Sequence, residues 1–138
     1  MRIMIYLPAY NEEQAIQGTL LSIRQAVEHY PDVTLLVVDD GSEDQTAAAA
    51  AESGAHVVSH PFNQGVGSAF QTAAAEALDR GADILVSIDA DGQFDARQIP
   101  DLISALFDQG AAMATGSRFF SGRPENMSWI KYLGNRVV

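Results

Sequence analysis

Carboxylates gather at two places where apolar sequence stops abruptly. Asp39-Asp40-Gly41-Ser42 follows the apolar residues 34–38, and Asp89-Ala90-Asp91-Gly92-Gln93 follows residues 84–88. Brought together, these four carboxylates repel one another unless a cation intervenes. Hard oxygen donors of this kind suit Mg2+ or Mn2+. Such an ion could bridge Asp89 and Asp91 to a diphosphate and neutralise charge on a leaving group. The chain carries a net charge of -10, so a phosphate ligand needs this sort of local help. The same charge excludes a protein that tracks nucleic-acid phosphates, which needs a basic face. Asp-Gly pairs are also ordinary turn chemistry. What adds weight is that several polar signals recur, each at the end of an apolar run.

The elements that must position these groups alternate in type. Residues 3–7 form a short apolar run stopped by Pro8, which reads as a buried strand. Ile16, Leu20, Ile23 and Val27 then recur at helical spacing, predicting an amphipathic helix over 12–29. Residues 34–38 are rich in β-branched types and read as the second strand. Ser42 with Gln45 resembles a capping box, followed by an alanine-rich helix over 46–51. Residues 56–59 read as the third strand, 60–67 as a loop, 68–79 as a helix and 84–88 as the fourth strand. Asp95 with Gln98 marks another helix start, and Ile99, Leu102, Ile103, Leu106 and Phe107 supply its apolar stripe. A fifth strand is expected over 111–115. This alternation predicts an α/β fold, a mostly parallel sheet with helices on both faces. Ligands of such sheets bind at the carboxyl ends of the strands. The first of those ends delivers Pro8-Ala9-Tyr10-Asn11-Glu12 and the fifth Gly116-Ser117-Arg118.

Other chemistries are excluded residue by residue. The chain has 138 residues and no cysteine, so disulfides and thiolate metal sites are absent and a reducing compartment fits. Gly65-Val66-Gly67 starts like a dinucleotide fingerprint, but Phe70 stands at the third glycine position. No Gly-x-x-x-x-Gly-Lys motif occurs. An EF-hand loop opening at Asp89 would place Phe94 where glycine belongs and Pro100 where the bidentate glutamate belongs. His56 reads as a strand residue and His60 as a loop residue, neither at zinc-ligand spacing. The first residues suggest no signal peptide, and no apolar stretch approaches the roughly 20 residues of a membrane helix.

Taken in order, the motifs are recognisable. They are Pro8-Ala9-Tyr10-Asn11-Glu12; Val37 to Ser42 with Asp44 and Thr46; His60-Pro61-Phe62-Asn63-Gln64-Gly65-Val66-Gly67; Asp89 to Gln93; and Gly116-Ser117-Arg118. The sequence resembles the family-2 glycosyltransferases of the GT-A fold, a Rossmann-like nucleotide-diphospho-sugar transferase fold. Within them it is similar to the dolichol-phosphate-mannose synthase-like group.

The resemblance implies roles. Pro8, Ala9, Tyr10, Glu12 and Asp40 would line the nucleoside pocket, with Asp40 on the base edge. Asp89 and Ala90 would lie by the ribose and diphosphate. Asp91 would hold an Mn2+ or Mg2+ ion, shared with Asp89 and Gln93. Arg118 would meet phosphates and, with Asp91, carry the catalysis. The implied reaction is an inverting, metal-dependent transfer of a hexose from a GDP- or UDP-linked sugar, with a polyprenyl phosphate as acceptor. It implies a cytoplasmic enzyme acting at the inner face of the membrane in cell-envelope glycan synthesis. The chain reads as a single donor-binding domain over 1–138, with 117–138 the start of an incomplete acceptor region. It therefore looks like an N-terminal piece, expected to bind donor but to transfer poorly. Apolar surface around Trp129, Ile130 and Leu133 favours self-association. The competing functions are a non-catalytic nucleotide-sugar-binding module and a phosphatase using Asp89 as nucleophile. The latter motif belongs on a first strand, whereas here it ends the fourth.

Overall fold

The computed structural model describes residues 1–108 and 110–116. β1 (Ile3–Ala9), α1 (Ile16–Ala26), β2 (Val33–Asp39), α2 (Thr46–Glu52), β3 (His56–Ser59), α3 (Val66–Asp79) and β4 (Ile84–Ser87) follow one another. A single 3-10 turn, Ala96–Gln98, then leads into α4 (Ile99–Asp108). The chain divides into two compact units, Met1–Pro100 and Asp101–Val138, and the sheet lies wholly in the first.

The four strands are parallel in the order β3-β2-β1-β4. β1 is central and pairs with β2 from Ile3↔Val33 to Ala9↔Asp39, and with β4 from Ile3↔Ile84 to Tyr6↔Ser87. Its run of apolar residues suits a strand covered on both faces. The chain steps outward from β1 to β3 and then returns across the sheet to β4. Right-handed crossovers therefore put α1 and α2 on one face and α3 on the other. The packing agrees: Met4, Tyr6, Leu36 and Val38 form a buried cluster with Ala69, Ala73 and Ala77 of α3. Successive strand residues point to opposite faces. The alternate set, Ile3, Ile5, Leu7, Leu35 and Val37, is buried on the α1–α2 side.

Local differences from the sequence-based expectation have physical causes. α1 begins at Ile16, not Glu12; residues 12–15 form a turn in which the Ala15 and Ile16 N–H groups donate to the Glu12 carbonyl, while the Glu12 N–H donates to Thr46 Oγ1 and the Glu13 N–H to Asp44. The Ser42–Gln45 capping box does not form. The Ser42 hydroxyl accepts from the Asn11 N–H at 2.9 Å, and α2 starts at Thr46, whose N–H donates to Asp44 Oδ1. Asp95 does cap, accepting from the Arg97 N–H, though of the 3-10 turn.

The expected fifth strand over 111–115 is absent. Gly110, at φ +58°, and Ala111 close the end of α4 through bonds to Phe107 and Leu106 carbonyls. The alanines that follow have little strand preference, and Met113 is exposed.

The alanine stripe of α3 allows that helix to lie close on the sheet. Ala73→Leu is therefore expected to destabilise the chain by about 1–3 kcal/mol through overpacking. Ala75→Leu, on the exposed side of the same helix, should stay within about 0.5 kcal/mol. Urea denaturation compares them, and equal midpoints would mean that the stripe does not set the helix-to-sheet distance.

Candidate functional site

The sheet order reverses between β1 and β4, and a crevice opens at the carboxyl ends there, as expected of a topological switch point. It is a cleft of about 280 Å3 lined by Pro8, Ala9, Tyr10, Glu12, Asp40, Asn63, Gly65, Val66, Ala69, Asp89, Ala90 and Asp91. Asp40 follows β2 and Asp89 follows β4, with β1 between them. Two strand spacings separate those ends by about 10 Å. The cleft thus offers one polar group at one end and a carboxylate pair at the other.

At the β2 end, Asp40 is buried and receives three donors. Its Oδ1 accepts from the Gln64 N–H at 2.9 Å and faces His60 Nδ1 at 2.7 Å; its Oδ2 accepts from the Gly65 N–H at 2.7 Å. An ionised carboxylate there requires the proton on His60 Nδ1. A neutral imidazole then accepts the Thr72 hydroxyl proton at Nε2, 2.8 Å away. Burial by itself raises the Asp40 carboxyl. The Gln64 amide, His60 and the Gly65 amide outweigh it and hold the group below the usual carboxylate range. Gly41 completes the joint. It sits at φ +75°, and a Cβ there would lie 2.5 Å from the Phe62 carbonyl carbon. The segment 60–65 can cross β2's end only because residue 41 has no side chain.

Behind β1 a second joint ties 11–13 to 42–46. Asn11 adopts φ +56° and its Oδ1 accepts from the Glu43 N–H, while Glu13 accepts from the Gln45 N–H. Asp44 accepts from both the Thr46 N–H and hydroxyl.

At the β4 end, the buried Thr19 hydroxyl of α1 lies 3.0 Å from the Ala15 carbonyl and 3.1 Å from the Ala90 carbonyl, so its one proton is shared between its own helix and the segment between the two aspartates. Gly92, at φ +72°, turns the chain beside that hydroxyl. Asp91 Oδ1 accepts from the Gln93 N–H at 2.9 Å, which orients the carboxylate. Glu12 stands nearby. Burial first, then the charges of Asp91 and Asp44, raise its carboxyl above the ordinary range.

Among the described residues, no three His, Cys, Asp or Glu side chains form a ready-made metal cage. Two carboxylates that leave room for ligand oxygens do suit Mg2+ or Mn2+, which are commonly held by one or two carboxylates plus phosphates.

All the residues expected to bind nucleotide sugar therefore line one cleft. Gln93 is exposed and meets Asp91 through its backbone. Arg118, with Ser117 and the segment 117–138, lies outside the described residues. Residue patterns alone missed His60, Asn63, Val66 and Thr19. For His60 a signal existed in the run His60 to Gly67, but its partner Thr72 sits nearly two helical turns into α3.

Comparison with known proteins identifies the family. The sequence profile described as "Glycosyl transferase family 2" matches residues 4–134. The chain is 36% identical to an undecaprenyl-phosphate mannosyltransferase of Micrococcus luteus, over 88% of this chain and 50% of that protein. The chain spans about half the length of the curated relatives it matches. A solved glucosyl-3-phosphoglycerate synthase of Mycobacterium tuberculosis, in complex with Mn2+, UDP-glucose and phosphoglyceric acid, is 36% identical. It superposes with a TM-score of 0.62, covering 76% of this chain and 39% of that one. A mannosyltransferase of Pyrobaculum calidifontis, in complex with GDP-Man and Mn2+, is 26% identical with a TM-score of 0.67, covering 76% and 32%.

Two expectations follow from the Asp40 joint. Gly41→Ala should cost roughly 2 kcal/mol or more, combining left-handed strain with a backbone clash, and should loosen 60–65. Hydrogen exchange at the Gln64 and Gly65 amides measures it; unchanged protection would contradict the joint. The depressed Asp40 carboxyl also contributes stability that is present above the unfolded value, about pH 4. It is lost as pH falls through the folded value. Asp40→Asn should be less stable at neutral pH and lose less on acidification. Urea midpoints at pH 7 and pH 3 test the sign.

Proposed function

This chain belongs to glycosyl transferase family 2, and from that premise we propose that its cleft binds the nucleotide part of a nucleotide diphosphate sugar. The observation that carries this reading is the convergence of Pro8 to Glu12, Asp40 and Asp89 to Asp91 on one crevice at the switch point of the sheet. The base lies toward Asp40 and the diphosphate toward Asp89 and Asp91. The whole enzyme transfers a hexose from that donor to a polyprenyl phosphate, with inversion at the anomeric carbon. The name of the Micrococcus luteus relative supports the acceptor class, and it favours the dolichol-phosphate-mannose synthase-like group.

The residues divide the work by position. Tyr10 and Asp40 hold the nucleoside, and the Thr19 hydroxyl meets the Ala90 carbonyl of the loop on which the aspartates stand. Asp89 and Asp91 would hold a divalent cation, with the Gln93 amide keeping Asp91 in orientation. Mn2+ or Mg2+ so held supplies charge neutralisation for the departing nucleoside diphosphate. Arg118 is proposed to meet the phosphates. A lipid phosphate is anionic already, so its oxygen attacks without a general base, unlike a hydroxyl. Among the described residues no helix is long and apolar enough to cross a membrane. Action at a membrane face is proposed from the lipid-phosphate acceptor.

Calorimetric titration of nucleoside diphosphates, in Mn2+ and then in EDTA, tests the reading. Affinity should fall at least tenfold in EDTA. Asp91→Asn should reproduce that loss, while Asp95→Asn, at the 3-10 turn, leaves affinity within about twofold because Asn caps about as well as Asp. Equal binding with and without metal would remove the cation from the scheme.

A further inference from the structure

We infer that the cleft takes a uracil base in preference to guanine, and that His60 sets this choice. The inference rests on the proposed placement of the base at Asp40 and deepens it. An ionised carboxylate offers about four lone-pair positions, two on each oxygen. Oδ1 of Asp40 has both occupied, by His60 Nδ1 at 2.7 Å and the Gln64 amide at 2.9 Å. Oδ2 has one occupied, by the Gly65 amide at 2.7 Å. Asp40 lines the cleft yet is only 5% exposed, so water has little access to what remains. One acceptor position is left for a ligand.

Bases differ in what they bring to one acceptor. Uracil presents a single ring N–H, at N3, between two carbonyls. Guanine presents N1–H and the N2 amino group side by side, a pair that matches a carboxylate with both oxygens open. Against Asp40 as it stands, guanine leaves one donor facing the filled Oδ1. A buried donor without a partner is costly, and sites built around hydrogen bonds discriminate strongly for that reason.

The occupant that fills Oδ1 is a side chain, and therefore replaceable. His60 is held from behind by Thr72 of α3, 2.8 Å from its Nε2, so the imidazole stays aimed at Oδ1. The two amide donors belong to the backbone and remain in any variant. Removing the imidazole donor opens the one lone pair that guanine needs.

The test is calorimetric titration of the chain with UDP and with GDP in Mn2+. The wild-type chain should bind UDP at least tenfold more tightly than GDP. His60→Leu, which loses the donor, should bring that ratio down toward one. His60→Gln, whose amide can still donate, should keep the preference. Thr72→Val, which removes only the rear support, should weaken both nucleotides alike and leave the ratio in place. GDP binding to the wild type as tightly as UDP would overturn the inference alone. A ratio unchanged in a folded His60→Leu would remove His60 from the choice. Binding of neither nucleotide would overturn the function proposed for the cleft as well.

Discussion

Three N–H donors converge on the Asp40 carboxylate, and the shape of the cleft follows from where they originate. Two are backbone amides of the segment between β3 and α3; the third is His60, backed by α3 itself. One buried charge thereby fixes the end of β2, the cleft wall and the start of a helix. The interaction is cheap to keep and costly to break. A carboxylate that receives charge-assisted bonds on both oxygens loses little on burial, whereas the same group without donors would not ionise there. Gly41 is the steric complement of that arrangement, since it admits the backbone that carries the donors.

The two ends of the cleft differ electrostatically. At Asp40 negative charge is matched by donors before any ligand arrives. At the other end Asp91 accepts from the Gln93 amide, and the nearby Glu12 carboxyl is raised, by burial first and then by the charges of Asp91 and Asp44. A chain with net charge -10 concentrates repulsion where a diphosphate and its cation would relieve it. Function of this kind is commonly accommodated at a cost in stability of the empty protein.

Much of this was legible in residues. Apolar runs ending at polar strand tips gave β2, β3 and β4 to within one residue at each end, while β1 continues through Pro8 to Ala9, two residues past the expected stop, because both residues still pair with β2. Tyr10, Glu12, Asp40, Asp89, Ala90 and Asp91 were legible because they stand just past strand ends, whereas Asn63, Val66 and Ala69 come to the cleft from the start of α3 and the segment before it. What could not be read depends on distant partners. Ser42 looks like a helix cap until Asn11 claims its hydroxyl. His60 looks like loop until Thr72 and Asp40 meet it from two elements. Asp40 looks like a ligand group alone, although most of its acceptor capacity is structural. Residues 111–115 carry a strand-like pattern whose alanines have too little surface to enforce it.

The pairing order of the sheet also has a temporal side. β1 with β2, and β2 with β3, join neighbours in sequence, whereas β1 with β4 joins residues 3 and 84 across three intervening helices. Closing so long a loop is slow, and domains emerge from the ribosome N-terminus first. During vectorial synthesis the Asp40 joint can assemble once Thr72, which backs His60, is free. The aspartates of the opposite end must wait for β4 to dock beside β1. The base-facing wall is thus built first and the phosphate-facing wall added to it, so the nascent chain passes through a stage with half a cleft.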